Sequence, residues 1–441
     1  MPSTIEKVVN NGFCVGCGAC AVAASDISIR TNARGEFVAN TQQASRQSLE
    51  AASLVCPFGS VANETAIAER LFATLPNHAA LGRYGDLWAG YSHADRANGS
   101  SGGIVTFVLK RLLEQGEIDY ALVIRPAQSA TNRGLTYEFS VASTMEDVNQ
   151  AATSFYHPVT YDKILQVVRD RPGRYAITGV PCFHKALRLL RTVDPVLNER
   201  IKYQIGIVCG QLKSTLYLEY LLRRAGVVGK VESACFRRKD PNIRADEYFF
   251  EAVSANDGKT HRVSNRAIGV NWGMGLFKPK ACDACDDVFA ETADIAVMDG
   301  WLPQYVQDGR GTSLVLVRDP ELSKLLRLAK DDGAVHLETV SEEDLVTSQL
   351  SGIKHRHSGL AYRQSITRSW FPEKRIKPSR DFSILFKAEQ RLRLLLSRFS
   401  GRAMVWQVNI SPNGGLFLFN VLMQPLFILN KLLQRAKRKF K

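Results

Sequence analysis

The sequence predicts an α/β fold: a mixed or mostly parallel sheet core, preceded by a small cysteine-rich segment and followed by a helical tail. Three observations carry this. Short apolar runs of strand length, such as Tyr120 to Ile124 and Tyr203 to Val208, alternate with amphipathic runs of helical spacing. Eight of the nine cysteines stand in Cys-x-x-Cys spacings (14, 17, 20, 282 and 285), before a proline (56), or where strand-like runs end (182 and 209). The excess of basic over acidic residues belongs to the last fifth of the chain.

At 441 residues the chain is long enough for several domains and a substantial core. Four segments are expected: 1–75, 76–168, 169–350 and a basic helical tail at 351–441. Lys and Arg outnumber Asp and Glu by 57 to 43, and residues 361–441 hold 17 basic and 3 acidic side chains. The preceding 360 residues are therefore neutral, and no nucleic-acid partner is expected. The amino terminus lacks an apolar run of signal-peptide length, and its cysteines are spaced as ligands rather than as a disulfide framework. A cytoplasmic, reducing location is the expectation.

Cys14, Cys17 and Cys20 form Cys-x-x-Cys-x-x-Cys with Gly16 and Gly18 between them. This is three-quarters of a bacterial ferredoxin signature, a 4Fe-4S site. The usual fourth position is Ala24, but Cys56-Pro57 restores the Cys-Pro ending. Zinc also takes four thiolates and stays open as the alternative.

Residues 86–91 read as a strand. Asn98-Gly99-Ser100-Ser101-Gly102-Gly103 then opens a helix whose apolar residues, from Ile104 to Leu113, recur at helical spacing until Gly116, and 120–124 is a second strand. A glycine- and serine-rich turn at a helix start offers amides and hydroxyls to a pyrophosphate, although by itself the pattern is weak and a plain capping turn is the better reading. Residues 151–163, AATSFYHPVTYDK, show no periodicity and read as a surface loop.

Residues 174–178 form a strand that breaks at Pro181-Cys182 into an amphipathic helix, and 203–208 is a strand ending at Cys209-Gly210. If both strands belong to one parallel sheet, the two cysteines sit at its carboxyl edge, where open sheets place ligands. There they can join Cys282 and Cys285 in a second four-thiolate site, though each alone also suits a buried small side chain. After Asp299, LVLVR (314–318) is a further strand, 320–350 reads as mostly helical, and Lys-His-Arg-His at 354–357 reads as a solvated basic turn. The tail contains two helix-like pieces, the second running from Leu416 to Leu433 across Pro425 and ending in lysine and arginine. It suits an interfacial helix on the anionic inner face of a membrane, or a helix packed on protein.

The order of SSGG-x-V-T, TGVPC, IGIVCG, FRRK, CDACDD and ADIAVMDGW resembles the beta-subunit family of coenzyme F420 hydrogenase and dehydrogenase, F420 being a deazaflavin. The likeness runs from about residue 10 to residue 320. The same family takes in reductases of 7-hydroxymethyl chlorophyll and proteins of bacterial polysaccharide synthesis. It implies FAD and one or two 4Fe-4S clusters, with Ser100, Ser101, Gly102 and Gly103 holding the FAD phosphates and Ser154 and Tyr156 near the flavin. Phe155 stands where the family segment has lysine. The cluster ligands implied are Cys14, Cys17, Cys20 and Cys56, and Cys182, Cys209, Cys282 and Cys285. The expected activity is an iron-sulfur flavoprotein oxidoreductase relaying electrons from a donor, ferredoxin or a partner protein, to a small organic acceptor. Tyr156 and His157, with His184 behind them, are the side chains available for proton transfer. The rival readings are an electron-transfer subunit with no substrate of its own and a zinc-stabilised scaffold in polysaccharide assembly.

Overall fold

A computed structural model describes residues 3–128, 133–268, 273–412 and 414–439. The last two residues of the basic carboxyl-terminal run lie outside the described residues. At the centre is an eight-stranded sheet in the order Val335–Thr339, Leu87–Ser92, Ser313–Val317, Ile295–Asp299, Ile201–Ile207, Tyr175–Gly179, Tyr120–Gln128, Leu135–Ala142. The four strands Ile295–Asp299, Ile201–Ile207, Tyr175–Gly179 and Tyr120–Gln128 run parallel, and the flanking pairs are antiparallel. The sheet is thus mixed, with a parallel centre.

Alternation along the strands explains why both faces are covered. Ala121, Val123, Ile295, Val297, Val315 and Val317 pack with the helices Ile104–Glu114 and Pro320–Asp331. Leu122, Tyr175 and Ile177 face the other way, onto the helices Asp162–Asp170 and Pro181–Arg191. A strand buried on both faces has no polar positions to spare, which is why YAITG is buried at all five residues.

The two strands expected on either side of the glycine-serine turn both form, and they run parallel, but four strands lie between them in the sheet. Residues 320–350 are not simply helical, since Val335–Thr339 is an edge strand paired with Leu87–Ser92. Its His336, Glu338 and Thr339 face outward and are exposed, and that polar alternation masks the strand in the sequence.

The amino-terminal segment packs the hairpin Ser28–Thr31 and Phe37–Asn40 with the helices Thr4–Asn10, Ala19–Ala23 and Arg46–Val55. A separate three-stranded antiparallel sheet spans residues 231–264. The tail forms the helices Ile384–Ile410 and Phe417–Lys439, and Leu396, Met404, Phe419 and Met423 are buried with Tyr217, Tyr220 and Phe277 of the body.

Candidate functional site

The parallel strands deliver their carboxyl ends to one edge. There the loops after Ser92, Gly179, Ile207 and Asp299 border a cavity of about 840 Å³. Gly99, Ser100, Ser101 and Gly103 line it, with Ser154, Tyr156 and His157, whereas Gly102 lies just behind the wall.

The turn is held by side chains and not by free water-facing groups. Ser154 N–H donates to Ser100 Oγ at 2.8 Å, and Ser100 Oγ meets Thr153 Oγ1 at 3.1 Å. Ser101 Oγ donates to the Thr312 carbonyl, and Gly102 N–H donates to Ser313 Oγ. The anion-binding capacity therefore rests on the start of the eleven-residue helix Ile104–Glu114, whose first amides lack helical acceptors. Gly103 caps that helix at φ 79°, and a Cβ there would lie 2.6 Å from the Asp95 carbonyl carbon.

The 151–163 stretch is not a surface loop. Thr153 to Val159 line the cavity, and Tyr161 is fully buried. His157 Nδ1 lies 2.9 Å from the Pro158 carbonyl, so this nitrogen carries the proton and Nε2 is the acceptor of the neutral ring. Burial pulls the His157 pKa down to about 4, leaving the ring neutral near neutral pH. Burial pushes the Tyr156 phenol up, against the opposing pull of the nearby Arg237 guanidinium. His184 is a core residue, fully buried, with Nε2 3.0 Å from the Ile205 carbonyl.

The cysteines gather as two sets. In the first, Cys14, Cys17, Cys20 and Cys56 surround one small pocket. Gly16 N–H and Ala39 N–H each approach Cys14 Sγ at 3.4 Å. Gly16, at φ 66°, has no room for a side chain, because a Cβ would fall 2.4 Å from Phe37 Cβ. In the second set, Cys182, Cys209, Cys282 and Cys285 interact electrostatically with one another, and Leu212 N–H donates to Cys282 Sγ at 3.3 Å. Burial pushes the Cys56 and Cys282 thiols up to about 12 and Cys209 to about 11, so these sites favour thiolate only when a cation compensates. The sets adjoin where Cys17 and Cys182 approach one another, and Cys14 and Cys209 both reach the cavity wall.

Three cationic groups here take up places that no local pattern in the sequence predicts. Arg356 is buried and donates to the carbonyls of Cys209 and Gly210, so the basic turn at 354–357 is no solvated feature. Its helix junction folds onto the second cysteine set, a tertiary contact without any local signature. Arg237 pairs with Asp299 through two hydrogen bonds of 2.8 and 2.9 Å in the cavity wall. Burial, reinforced by the Lys278 charge, pulls the Lys213 pKa down to about 7.

Two family models match the chain, both describing the beta subunit of coenzyme F420 hydrogenase/dehydrogenase. The model of its N-terminal part matches residues 87–166, and the model of its C terminus matches 173–343. The F subunit of the F(420)H(2) dehydrogenase of Methanosarcina mazei is 24% identical over 376 residues, 78% of this chain and 96% of that protein. A coenzyme F420-dependent sulfite reductase of Methanocaldococcus jannaschii is 25% identical over 359 residues, 77% of this chain but 49% of that protein. A chain of the F420-reducing [NiFe] hydrogenase complex of Methanosarcina barkeri shares the fold, with a TM-score of 0.50 at 19% identity, covering 68% of this chain and 99% of that one. With both halves of the central sheet and the whole second cysteine set inside the matched residues, the chain belongs to the beta-subunit family of coenzyme F420 hydrogenase/dehydrogenase.

Proposed function

We propose that this chain is an iron-sulfur flavoprotein oxidoreductase that holds two 4Fe-4S clusters and FAD and passes electrons from a reduced donor to a small organic acceptor. The observation that carries this reading is the arrangement of the thiols: two four-cysteine sets adjoin at Cys17 and Cys182, and each reaches the same cavity, through Cys14 and Cys209. Bound clusters and flavin would supply one-electron storage and its conversion to two-electron chemistry.

The donor chemistry favours clusters over zinc. Four thiolates around one zinc ion at about 2.3 Å would stand within about 4 Å of each other. Among the described residues no three Cys, His, Asp or Glu side chains converge closely enough to hold a single ion. The eight cysteines nonetheless group four and four, the ligand count that two 4Fe-4S clusters require. In the first set the Gly16 and Ala39 amides serve as hydrogen-bond donors to sulfur, and in the second the Leu212 amide does so.

The cavity's own residues would bind and orient. The Ile104–Glu114 helix start receives phosphate, Ser100 fixes Ser154 in the wall, and Arg237 is held by Asp299 with its face toward Trp301. Phe155 packs on Tyr137 at 4.8 Å and brings no charge, so the positive charge facing an anionic acceptor would come from the other cations of the wall, Lys213, Arg237, Arg266 and Arg356. Neutral His157 presents Nε2 as a proton acceptor, and Tyr156 keeps its proton.

Anaerobic purification with iron, sulfide, zinc and flavin measured on one sample tests this reading. About eight irons and one FAD per chain are expected. Zinc without flavin would overturn it and favour a scaffold. Turnover with candidate acceptors then separates an enzyme from an electron-transfer subunit, and reduced ferredoxin, the F420 deazaflavin and a partner protein are the donors to compare.

For the tail we infer a peripheral contact with an anionic membrane surface. Phe417, Val421, Ile428 and Leu432, spaced four, seven and four residues apart, form one exposed apolar stripe on a helix whose opposite side packs on the body. Lys431, Arg435 and Arg438 are exposed near it, and Glu389, the one acidic residue of the two helices, is already paired with Lys437. By length and composition residues 417–438 are also sufficient to cross a membrane.

A further inference from the structure

We propose that the Tyr161 hydroxyl is a built-in hydrogen-bond donor at the junction of the two metal centres, between Cys17 and Cys182, and that it raises the reduction potential of the centre whose sulfur accepts it. The inference rests on the two-cluster reading above and adds a residue that reading does not need.

Tyr161 joins the two cysteine sets physically. Its backbone N–H donates to the Cys17 carbonyl at 2.8 Å, which ties the residue to the first set. Gly18 turns against the same stretch so tightly that a Cβ would lie 3.0 Å from the Tyr161 nitrogen. The side chain then crosses toward the second set. Its ring packs against Phe183, the residue after Cys182, at 5.0 Å, and against Phe139 at 4.9 Å. The hydroxyl reaches Gly179 in the turn before Cys182, where an added Cβ would sit 2.7 Å from it. The absence of a side chain at Gly179 is therefore what leaves room for this phenol.

The hydroxyl is fully buried and has no hydrogen-bond partner among the described residues. A buried O–H without an acceptor is destabilising, and the two flanking rings prevent it from turning out to solvent. The sulfurs of Cys17 and, less strongly, Cys182 both act on the phenol, which places the hydroxyl at the junction of the two sets, beside Gly179. Burial and those two sulfurs hold the phenol protonated, so it can act only as a donor toward sulfur. Hydrogen bonds to cluster sulfur stabilise the more negative, reduced state and raise the potential.

The test is a redox titration, followed by electron paramagnetic resonance, of the intact chain and of Tyr161→Phe, with iron and flavin quantified on both. The phenylalanine variant keeps the ring and its packing. Iron and flavin contents are expected to stay unchanged while one of the two centres becomes harder to reduce and the other does not move. Incorporating 3,5-difluorotyrosine at 161, a stronger donor, is expected to move the same centre in the opposite direction. Unchanged potentials in both variants, or loss of iron from Tyr161→Phe, would overturn the proposal, because the hydroxyl would then be inert or merely structural. An unsubstituted chain that holds no iron would instead remove the two-cluster reading itself, and this inference with it.

Discussion

The guanidinium of Arg356 donates to the backbone carbonyls of Cys209 and Gly210, which places a buried cation against the second cysteine set. Burial opposes that charge, but the Cys285 and Cys209 sulfurs more than offset it and hold the Arg356 pKa above its ordinary value. Arg356→Gln should weaken metal retention at this set by about 10- to 100-fold, the usual effect of losing an outer partner. Iron release to a chelator, followed over time, measures this, and the first set should release iron at its original rate.

The two sets should load independently. Cys56→Ser is expected to lose the first centre and Cys282→Ser the second, each leaving about four irons per chain. Metal analysis of both variants decides the matter, and retention of all the irons in either one would exclude that cysteine as a ligand.

Gly103 begins the helix that faces the cavity, at φ 79° and against the backbone of Asp95 and Arg96. In Gly103→Ala the left-handed backbone alone should destabilise by about 1–2 kcal/mol, and the close approach to Asp95 adds to it. A lower denaturant midpoint accompanied by a lower flavin content is the expected result.

His184 makes stability sensitive to acid. Burial pulls its pKa from 6.5 to about 4, so between those values the unfolded chain binds a proton that the folded chain does not. Stability from this group is complete above pH 6.5 and is lost as pH falls toward 4, by an amount on the order of 3 kcal/mol. In His184→Asn the slope of unfolding free energy against pH should flatten across that interval, as denaturant titrations at several pH values would reveal.

The apolar stripe of the last helix gives the tail a separate test. Val421→Ser, Ile428→Ser and Leu432→Ser together remove three exposed apolar side chains and no contact of the buried face. Co-sedimentation with anionic vesicles should fall sharply, while flavin and iron contents stay constant. Unchanged sedimentation would leave a protein partner as the role of this face.

Much of the central sheet was legible because a strand buried on both faces must be apolar throughout, as in YAITG and ADIAVMD. The second cysteine set was legible because two parallel strands that end in Pro181-Cys182 and Cys209-Gly210 present both thiols at one sheet edge. The edge strand Val335–Thr339 was missed because its outward residues are polar and it sits between two helices. The 151–163 stretch was misread as surface because a segment folded into a cavity wall obeys neither helical nor strand periodicity.

By itself the sequence determined the buried central strands and their flanking helices, the cysteine spacings and the family, since these depend on local pattern and on short motifs in fixed order. Only the tertiary structure decided which side chains surround those cysteines. Arg356 arrives at Cys209 from 147 residues away, Asp299 meets Arg237 across 62 residues, and Tyr161 crosses from Cys17 toward Cys182. Such contacts leave no periodic trace, because they are set by how layers pack and not by the backbone geometry of any one element.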